Sequence, residues 1–556
     1  MADNPHPSFN LIDKPWIPVL DESSRVQEIN LRQAVCNAHR YTCLAAETPT
    51  VDFCILRLLI AVLGRSLSDW LTDDPASDWK ELWDAETLPA EEINAYLDKW
   101  HDSFDLRDPA NPFMQTAGLT NNNDTWFHFN RFMYGCKKTG SLFSVQPPEY
   151  PLTMAEAARW GLHVHAFDYA GIKTAMVGDP REKGGKIYAK DGGGIGWGGW
   201  LGALTVKGSN LKATVLHNFL PGTITPEDIP FWELGPLPVG QRSGRNGVVP
   251  GPLSLGVWPS RRFLFRFSDD DVVDAVRITY GDPVDHLNCK GLENQTQWRF
   301  SNPKSEETGH AVYLPQKLVL GRSLWRGISS FLPGSNGPMI EFHDQEVPRS
   351  ILAENLDWFH RVKQNGYIED DYLVDVEVAS YEYGTQNGCF DTLITDKLTF
   401  KSVLANKDRK RLRGSVTTAV NRAEQAATAY KRYVRNLGVA TGCDSKQLQS
   451  LESRAEQEMY SELDQIFADW LLSINGDSEP DAVLEEWTET LRELVLRLVD
   501  DRSRNVSDRA WVGREYSDGS QSKFMNSGLA EKFLLASLRK ILPRKTANET
   551  EEKAEN

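Results

Sequence analysis

Residues 459–474 read MYSELDQIFADWLLSI, and their apolar side chains recur at intervals of three and four. This spacing places the apolar side chains on one face of an α-helix. Three further stretches after residue 402 have the same pattern, so the sequence predicts a four-helix bundle over residues 402–545. The predicted apolar faces are Val416, Val420, Ala423, Ala427, Tyr430 and Val434; Met459, Leu463, Ile466, Phe467, Trp470, Leu471 and Ile474; Leu484, Trp487, Leu491, Leu494, Val495 and Leu498; and Leu529, Phe533, Leu534, Leu538 and Ile541.

The residues before this bundle mix short strand and helix patterns. A helix is predicted over residues 50–71, whereas RFLFRF at 262–267 and YLVDVEV at 372–378 alternate as strands do. We therefore predict an α+β protein, with a large, irregular, mixed α/β domain over residues 1–401 and the bundle after it. Residues 546–556 are polar and lack apolar anchors, which predicts a disordered tail.

The composition is that of a folded soluble protein, with 40% hydrophobic residues and a formal net charge of −17. This charge argues against a protein that coats nucleic acid, but it allows a local basic surface. The seven cysteines include no CxxC pair, which argues against a structural zinc site of that spacing. We expect a cytoplasmic protein that lacks a membrane span, a metal and a cofactor.

Residues 137–200 predict a long excursion with a mobile tip, with a helical patch near 152–160 and glycines enriched from 184 to 202. The glycines at 194, 196 and 199 formally match the dinucleotide fingerprint, but no strand is predicted immediately before them and Trp197 lies among them. Three interpretations stay open for this stretch: a flexible loop, a nucleotide site, or a loop whose bare backbone approaches a nucleic-acid groove.

His163 and His165 form an HxH in LHVHAF, which we predict to be extended. A metal site would need at least one more ligand, so a structural role is favoured. Neither GxSxG nor HExxH occurs, and no catalytic residue is predicted. The alternative class is a metal- or nucleotide-dependent enzyme that uses this pair and the glycine stretch.

The stretch KSVLANKDRKRLR at 401–413 is strongly basic on an acidic chain. It is either a solvated helix start or a patch that faces phosphate. In the second case its phosphate contacts are Arg409, Lys410, Arg411 and Arg413.

Three motifs resemble one family in their order and spacing. They are FNLIDKPWIPVL at 9–20, NPFMQTAG at 111–118 and LTVKGSNLKATVLHNFL at 204–220, ahead of the terminal bundle. Together they resemble the CasA family, the large subunit of the type I-E CRISPR Cascade surveillance complex, over essentially the whole chain. The resemblance implies a non-catalytic subunit that reads the protospacer-adjacent motif in double-stranded DNA, contacts the crRNA 5′ handle, helps start strand separation and recruits a helicase-nuclease. Its implied partners are the other Cascade proteins, crRNA and target DNA.

The resemblance also implies functional residues. The family's guide-handle loop resembles Phe143, Ser144, Val145 and Gln146, where an aromatic side chain can stack on an unpaired base. The alternative for Phe143 is an ordinary hydrophobic anchor. The family's glycine loop, which lies against the motif duplex, resembles Gly192, Gly193 and Gly194.

Three more positions resemble the family's motif-reading residues. Lys290 matches a lysine that enters the minor groove, with an exposed turn lysine as the alternative. Gln386 and Asn387 occupy the places of a motif-contacting Asn and a duplex-wedging Gln, so the two amides are swapped. A pure scaffold subunit, which would use none of these residues on DNA, is a further alternative.

Overall fold

The chain divides into two compact units in a computed structural model that describes residues 8–129, 133, 151–242, 247–268, 271–287, 289–334, 339–518 and 521–544. The first unit comprises Met1–Arg322, Pro333–Ile368 and Leu373–Lys397. The second unit comprises Ser323–Leu332, Glu369–Tyr372 and Leu398–Asn556. The predicted tail at 546–556 lies outside the described residues.

Short strands and helices alternate irregularly through the first unit. In chain order they are β1 (Ile17–Asp21), β2 (Val26–Ile29), α1 (Leu31–Cys36), β3 (Tyr41–Leu44), α2 (Pro49–Ser66), α3 (Pro75–Asp84), α4 (Ala90–Lys99), β4 (Leu152–Thr153), α5 (Met154–Phe167), β5 (Lys173–Thr174), β6 (Lys186–Ile187), α6 (Ala189–Gly192), β7 (Ala203–Lys207), α7 (Leu211–Asn218), α8 (Pro252–Gly256), β8 (Arg261–Phe267), β9 (Val272–Tyr280), β10 (Trp298–Phe300), α9 (Asn302–Thr308), β11 (Tyr313–Pro315), β12 (Met339–Phe342), β13 (Gln345–Pro348), β14 (Ser350–Ile351), α10 (Glu354–Gln364), β15 (Leu373–Tyr383) and β16 (Phe390–Lys401).

Helix α2 lies at the centre of this unit. Its start is set by Thr48, whose hydroxyl accepts a hydrogen bond from the Val51 amide, and by Pro49 at the first helical position. Residues 50–51 and 53–64 are buried, so the helix is covered on every side. The predicted helix at 50–71 is therefore confirmed, although it ends five residues early.

Strand β15 is the middle strand of a sheet ordered β16, β15, β7. It pairs antiparallel with β7, with Val378 opposite Leu204 and Ala379 opposite Ala203. Strands β15 and β16 contain 11 and 12 residues and form a hairpin, whose turn is Gly384–Cys389. This sheet therefore fixes the orientation of the Gly384–Cys389 turn.

The second unit is mainly helical. Its elements are α11 (Lys410–Thr441), α12 (Ser445–Ser473), α13 (Pro480–Ser503), α14 (Asp508–Val512), β17 (Arg514–Asp518), β18 (Gln521–Met525) and α15 (Ser527–Ile541). Helix α11 packs against α12, α13 and α15. Trp487 is fully buried, and its indole Nε1 donates a hydrogen bond to the Ala419 carbonyl oxygen at 2.9 Å.

All four predicted bundle helices are present, and the α+β class with a C-terminal helical region is confirmed. Two details differ from the prediction. The short helix α14 and the β17–β18 hairpin intervene before the last helix. Phe533 is 48% exposed, because the buried face of α15 runs through Ala530, Leu534 and Leu538.

Candidate nucleic-acid interface

The glycines at 192–194 form a packed turn at the end of α6. A Cβ on buried Gly192 would lie 2.1 Å from Cγ of Tyr280, and one on Gly193 would lie 2.9 Å from Cβ of Pro283. Gly193 and Gly194 have φ of +88° and +76°, a region that L side chains rarely adopt. Packing and backbone conformation therefore both require glycine at this turn.

A buried charge cluster lies beneath this turn. Nζ of Lys173 lies 2.6 Å from Oδ2 of Asp168, and Nε of Arg261 donates to the same oxygen. Burial opposes ionisation of Asp168, but the two cations outweigh it and hold the pKa of the carboxyl below its ordinary value. Arg261 also donates through Nη2 to the Gly194 carbonyl oxygen at 2.9 Å, so the cluster fixes the glycine turn.

Sequence reasoning missed this cluster, although one signal was present. Arg261 and Arg262 stand together in a strand whose following side chains, Phe263 and Phe265, are buried. Arginine is almost never fully buried without a partner, so a buried arginine pair predicts buried carboxylates nearby. Those partners are Asp168 for Arg261 and, at 2.6 Å, Asp282 for Arg262.

Gln386 and Asn387 are exposed in the turn of the β15–β16 hairpin. Both have left-handed backbones, with φ of 56° and 55°. The Asn387 amide donates to the Gly384 carbonyl oxygen at 2.8 Å, which closes the turn. Two adjacent non-glycine residues in this conformation cost free energy that local packing must offset, and such strain concentrates at functional sites.

The structure brings the glycine turn and the turn that holds Gln386 and Asn387, called the amide turn below, together on one segment. The Ala170 amide donates to the Asn387 carbonyl oxygen at 2.8 Å. Two residues earlier, the carbonyl oxygen of Asp168 accepts from Nη2 of Arg261, the guanidinium that also holds Gly194. The segment from 168 to 170 therefore couples the two turns.

Lys290 is exposed on a different segment, in the turn from Cys289 to Leu292. Its Nζ lies 4.7 Å from the ring centroid of Tyr313, in a cation–π contact. The Tyr313 hydroxyl donates to the Pro348 carbonyl oxygen at 2.9 Å, which fixes the ring. The Lys290 side chain therefore packs against the Tyr313 ring, while the residue stays exposed to solvent.

His163 and His165 lie on α5, so the prediction of an extended segment is wrong. The Thr153–Glu156 capping box starts this helix, and both histidines are buried within it. Nε2 of His163 lies 3.2 Å from Oγ1 of Thr50, and Nε2 of His165 lies 3.0 Å from the Met114 carbonyl oxygen. Burial lowers the pKa of each imidazole to about 3, which keeps the two rings neutral.

The predicted phosphate contacts lie at the start of α11. Arg411 is 77% exposed and lies 3.4 Å from Asp481, and Arg409 lies 3.7 Å from Asp370. Lys410 is exposed, whereas Arg413 is half-buried and donates to the carbonyl oxygens of Asn406 and Lys407. These cations lie at the N-terminus of α11, which is the positive end of the helix dipole. The first turn of the helix carries no acidic residue to offset their charge.

The remaining predicted contacts are not covered by the structure. Phe143, Ser144, Val145 and Gln146 lie outside the described residues. Across the described ranges, no group of three His, Cys, Asp or Glu side chains is placed to hold a metal ion. Within the same ranges, none of the helices combines the length and apolar character needed to cross a bilayer.

Comparison with known proteins identifies the fold. The sequence model of the family described as CRISPR-associated protein Cse1 matches residues 10–498. The CRISPR-associated protein CasA/Cse1 of Thermus thermophilus is 29% identical over 375 residues, which make up 66% of this chain and 69% of that protein. The crystal structure of Thermobifida fusca Cse1 superposes with a TM-score of 0.86 at 30% identity, covering 97% of this chain and 99% of that one.

A chain of a CRISPR RNA-guided surveillance complex shares the fold at a TM-score of 0.61 and 15% identity, covering 90% of this chain and 99% of that one. The architecture is thus that of a CRISPR-associated protein with a mixed α/β part and a helical C-terminal part. The chain belongs to the CRISPR-associated protein Cse1 family, whose Thermus thermophilus member is also called CasA.

Proposed function

We propose that this chain is the large, non-catalytic subunit of a type I-E CRISPR RNA-guided surveillance complex and that it reads the protospacer-adjacent motif in double-stranded DNA. The other subunits, crRNA and target DNA are its partners, and a helicase-nuclease is recruited after target binding. Phe143–Gln146 contact the crRNA 5′ handle. Family membership and the exposed polar residues of the first unit support this assignment.

The amide turn carries the proposal. Gln386 and Asn387 hold two exposed amides on consecutive left-handed residues, at the end of a long hairpin anchored to Ala170. An amide both donates and accepts hydrogen bonds, so it can pair with base edges. In this proposal Gln386 contacts the motif and Asn387 displaces the first stacked base pair, which costs a few kcal/mol of unstacking.

Lys290 supplies the second contact. The minor groove presents hydrogen-bond acceptors at every base pair, so a cationic donor there tolerates several sequences. The bare backbone of the glycine turn provides a third contact, because a Cβ on Gly194 would meet no protein atom within 4 Å and a side chain there would hold a duplex away. Arg409, Lys410, Arg411 and Arg413 attract DNA phosphate without reading sequence.

Reconstitution of the guide complex tests this assignment. DNA affinity is measured with and without the chain, on guide-matched duplexes that differ only in the flanking motif. We expect affinity to depend on the motif only when the chain is present, and Lys290→Ala to weaken that dependence. Lys446→Ala, which removes an exposed lysine of α12, is the matched control.

Equal affinity for both flanks in the presence of the chain would contradict motif reading and favour the scaffold alternative. The enzyme alternative depended on the glycine stretch and on His163 and His165. Both imidazoles are buried and hydrogen-bonded within the protein, which favours a structural role for the pair.

A further inference from the structure

The turn Trp197–Trp200 (WGGW) follows the glycine turn and contacts two other predicted DNA-binding elements. It is a 3-10 turn in which Trp197 is buried and Trp200 half-buried. A Cβ on Gly198 would lie 2.9 Å from the ring of Phe167, at the end of α5. The turn is therefore fixed to the core, and a displacement of it would require α5 to move.

The first contact lies three residues after Lys290. Nε1 of Trp197 donates to Oε2 of Glu293 at 2.6 Å, and Nη1 of Arg57 donates to the same oxygen at 3.0 Å. Glu293 is 1% exposed. A buried carboxylate with two donors is held tightly, because removal of either donor leaves charge unsatisfied in a low dielectric.

The second contact lies four residues before Lys290. The imidazole of His286 stacks on the indole of Trp200, with ring centroids 5.0 Å apart and planes within 4° of parallel. Both rings are half-buried. The two tryptophans of one turn therefore hold the chain on each side of Lys290.

The opposite side of the Trp197–Trp200 turn contacts strand β15, which leads to the amide turn. A Cβ on Gly199 would lie 2.3 Å from the hydroxyl oxygen of Tyr383, the last residue of β15. That hydroxyl donates to the Phe167 carbonyl oxygen at 2.7 Å. Gly199 thus lets the turn pack directly against the strand that leads to Gln386 and Asn387.

We propose that the Trp197–Trp200 turn is the positioning element that sets the separation between Lys290 and the Gln386–Asn387 turn, and thereby the discrimination between flanking motifs. This inference rests on the proposed function. Trp200 and His286 are positioning residues that act through Lys290 rather than on DNA. Recognition at two points of a duplex requires the two contacts to keep a fixed spacing, which a loose support would not maintain.

The test measures motif discrimination, defined as the ratio of affinities of the reconstituted guide complex for matched and altered flanks. His286→Ala removes the stack and should lower the ratio about two- to thirteenfold, the range of one aromatic pair. His286→Phe restores a flat ring and should return the ratio to near the wild-type value. Affinity for the altered flank should stay within about twofold in both variants, because phosphate contacts dominate it.

A double variant of His286→Ala and Lys290→Ala distinguishes failure of the positioning role from failure of the proposed function of Lys290. If His286 acts through Lys290, adding His286→Ala to Lys290→Ala should lower the ratio no further. Additive losses, or an unchanged ratio in His286→Ala beside a loss in Lys290→Ala, would overturn the positioning role alone. An unchanged ratio in Lys290→Ala would overturn the proposed function of Lys290, and this inference with it.

Hydrogen exchange on the isolated chain provides a readout that does not depend on DNA. Amides at 289–293 should exchange faster in His286→Ala than in wild type and recover in His286→Phe. Amides of α13 serve as the internal reference for folding. Equal exchange at 289–293 in all three proteins would overturn the proposal even if the affinities changed.

Discussion

The glycine turn at 192–194 and the basic start of α11 are both proposed to contact DNA, but they are held in opposite ways. The glycine turn rests on Asp168 and Arg261, which are 2% and 1% exposed. At the basic start, Arg411 and Asp481 are 77% and 61% exposed, 3.4 Å apart. Buried charges fix a geometry, whereas exposed charges mainly set a potential.

The difference matches what each region is proposed to do. Reading base edges depends on where a donor lies, so its support must be rigid. Attraction of phosphate depends on the number of nearby cations and tolerates movement. The glycine turn therefore rests on buried charged residues, whereas the start of α11 leaves its charged residues at the surface.

The largest expected effect comes from the buried cluster. Asp168→Ala leaves Lys173 and Arg261 without their shared carboxylate, and we expect a loss of about 3–5 kcal/mol in the free energy of unfolding. Urea unfolding of the purified chain measures it. Asp481→Ala, which removes a surface partner, should cost less than about 1 kcal/mol. Equal losses in the two variants would remove the contrast between the regions.

Protonation of the buried histidines gives the next effect. The pKa of His165 is lowered to about 3, so the unfolded chain binds this proton first as the pH falls below about 6.5. Stability is full above that pH and declines toward pH 3, by about 2 kcal/mol for this histidine between pH 6.5 and 5.

Replacement of the ring tests this assignment. Urea unfolding at pH 6.5 and pH 5 should show a smaller loss in His165→Phe than in wild type, by about 2 kcal/mol. His310→Phe, at an exposed histidine, should leave the wild-type difference unchanged. An undiminished loss in His165→Phe would show that this imidazole is not the buried neutral group described.

Two glycine-to-alanine substitutions compare a tightly packed position with an open one. Gly192→Ala places a methyl group within the ring of Tyr280, and we expect a destabilisation of about 1–3 kcal/mol. Gly414→Ala meets no atom within 4 Å in helix α11 and should stabilise by about 0.5–1 kcal/mol. Thermal unfolding measures both, and a neutral Gly192→Ala would show that the glycine turn is loose.

The smallest expected effect is electrostatic. Lys410→Gln should lower the slope of log affinity against log salt by about 0.7–0.9 for each phosphate that the lysine neutralises in the wild-type complex. The preference for one flanking motif should not change. Lys446→Gln serves as the control, and the same slope in wild type and Lys410→Gln would exclude Lys410 from the DNA path.

The bundle helices were predictable because period 3.6 is a local property of the sequence. The buried face of α12, which includes Met459, Leu463 and Phe467, is the one that the spacing predicts. The first half of helix α5 was predicted by the helical patch near 152–160, where Thr153 and Glu156 form a capping box. The second half, which contains the HxH pattern, was wrongly predicted to be extended.

The glycine turn could not be predicted in the same way. Its glycines are needed because Tyr280 and Pro283, remote in sequence, lie against them. Composition cannot distinguish a glycine that gives freedom from one that permits contact. The resemblance pointed to these positions and to Lys290, but the buried support of Asp168, Trp197 and Glu293 is visible only in the fold.

The most direct test of motif reading uses one double variant. Lys290→Ala combined with Gln386→Ala is assembled into the guide complex, and affinity is measured on duplexes with the matched and the altered flank. We predict that the preference for the matched flank disappears while the affinity for the altered flank stays within about twofold, as phosphate contacts are retained. A preference equal to that of the wild-type complex would contradict the assignment of this chain as the motif reader.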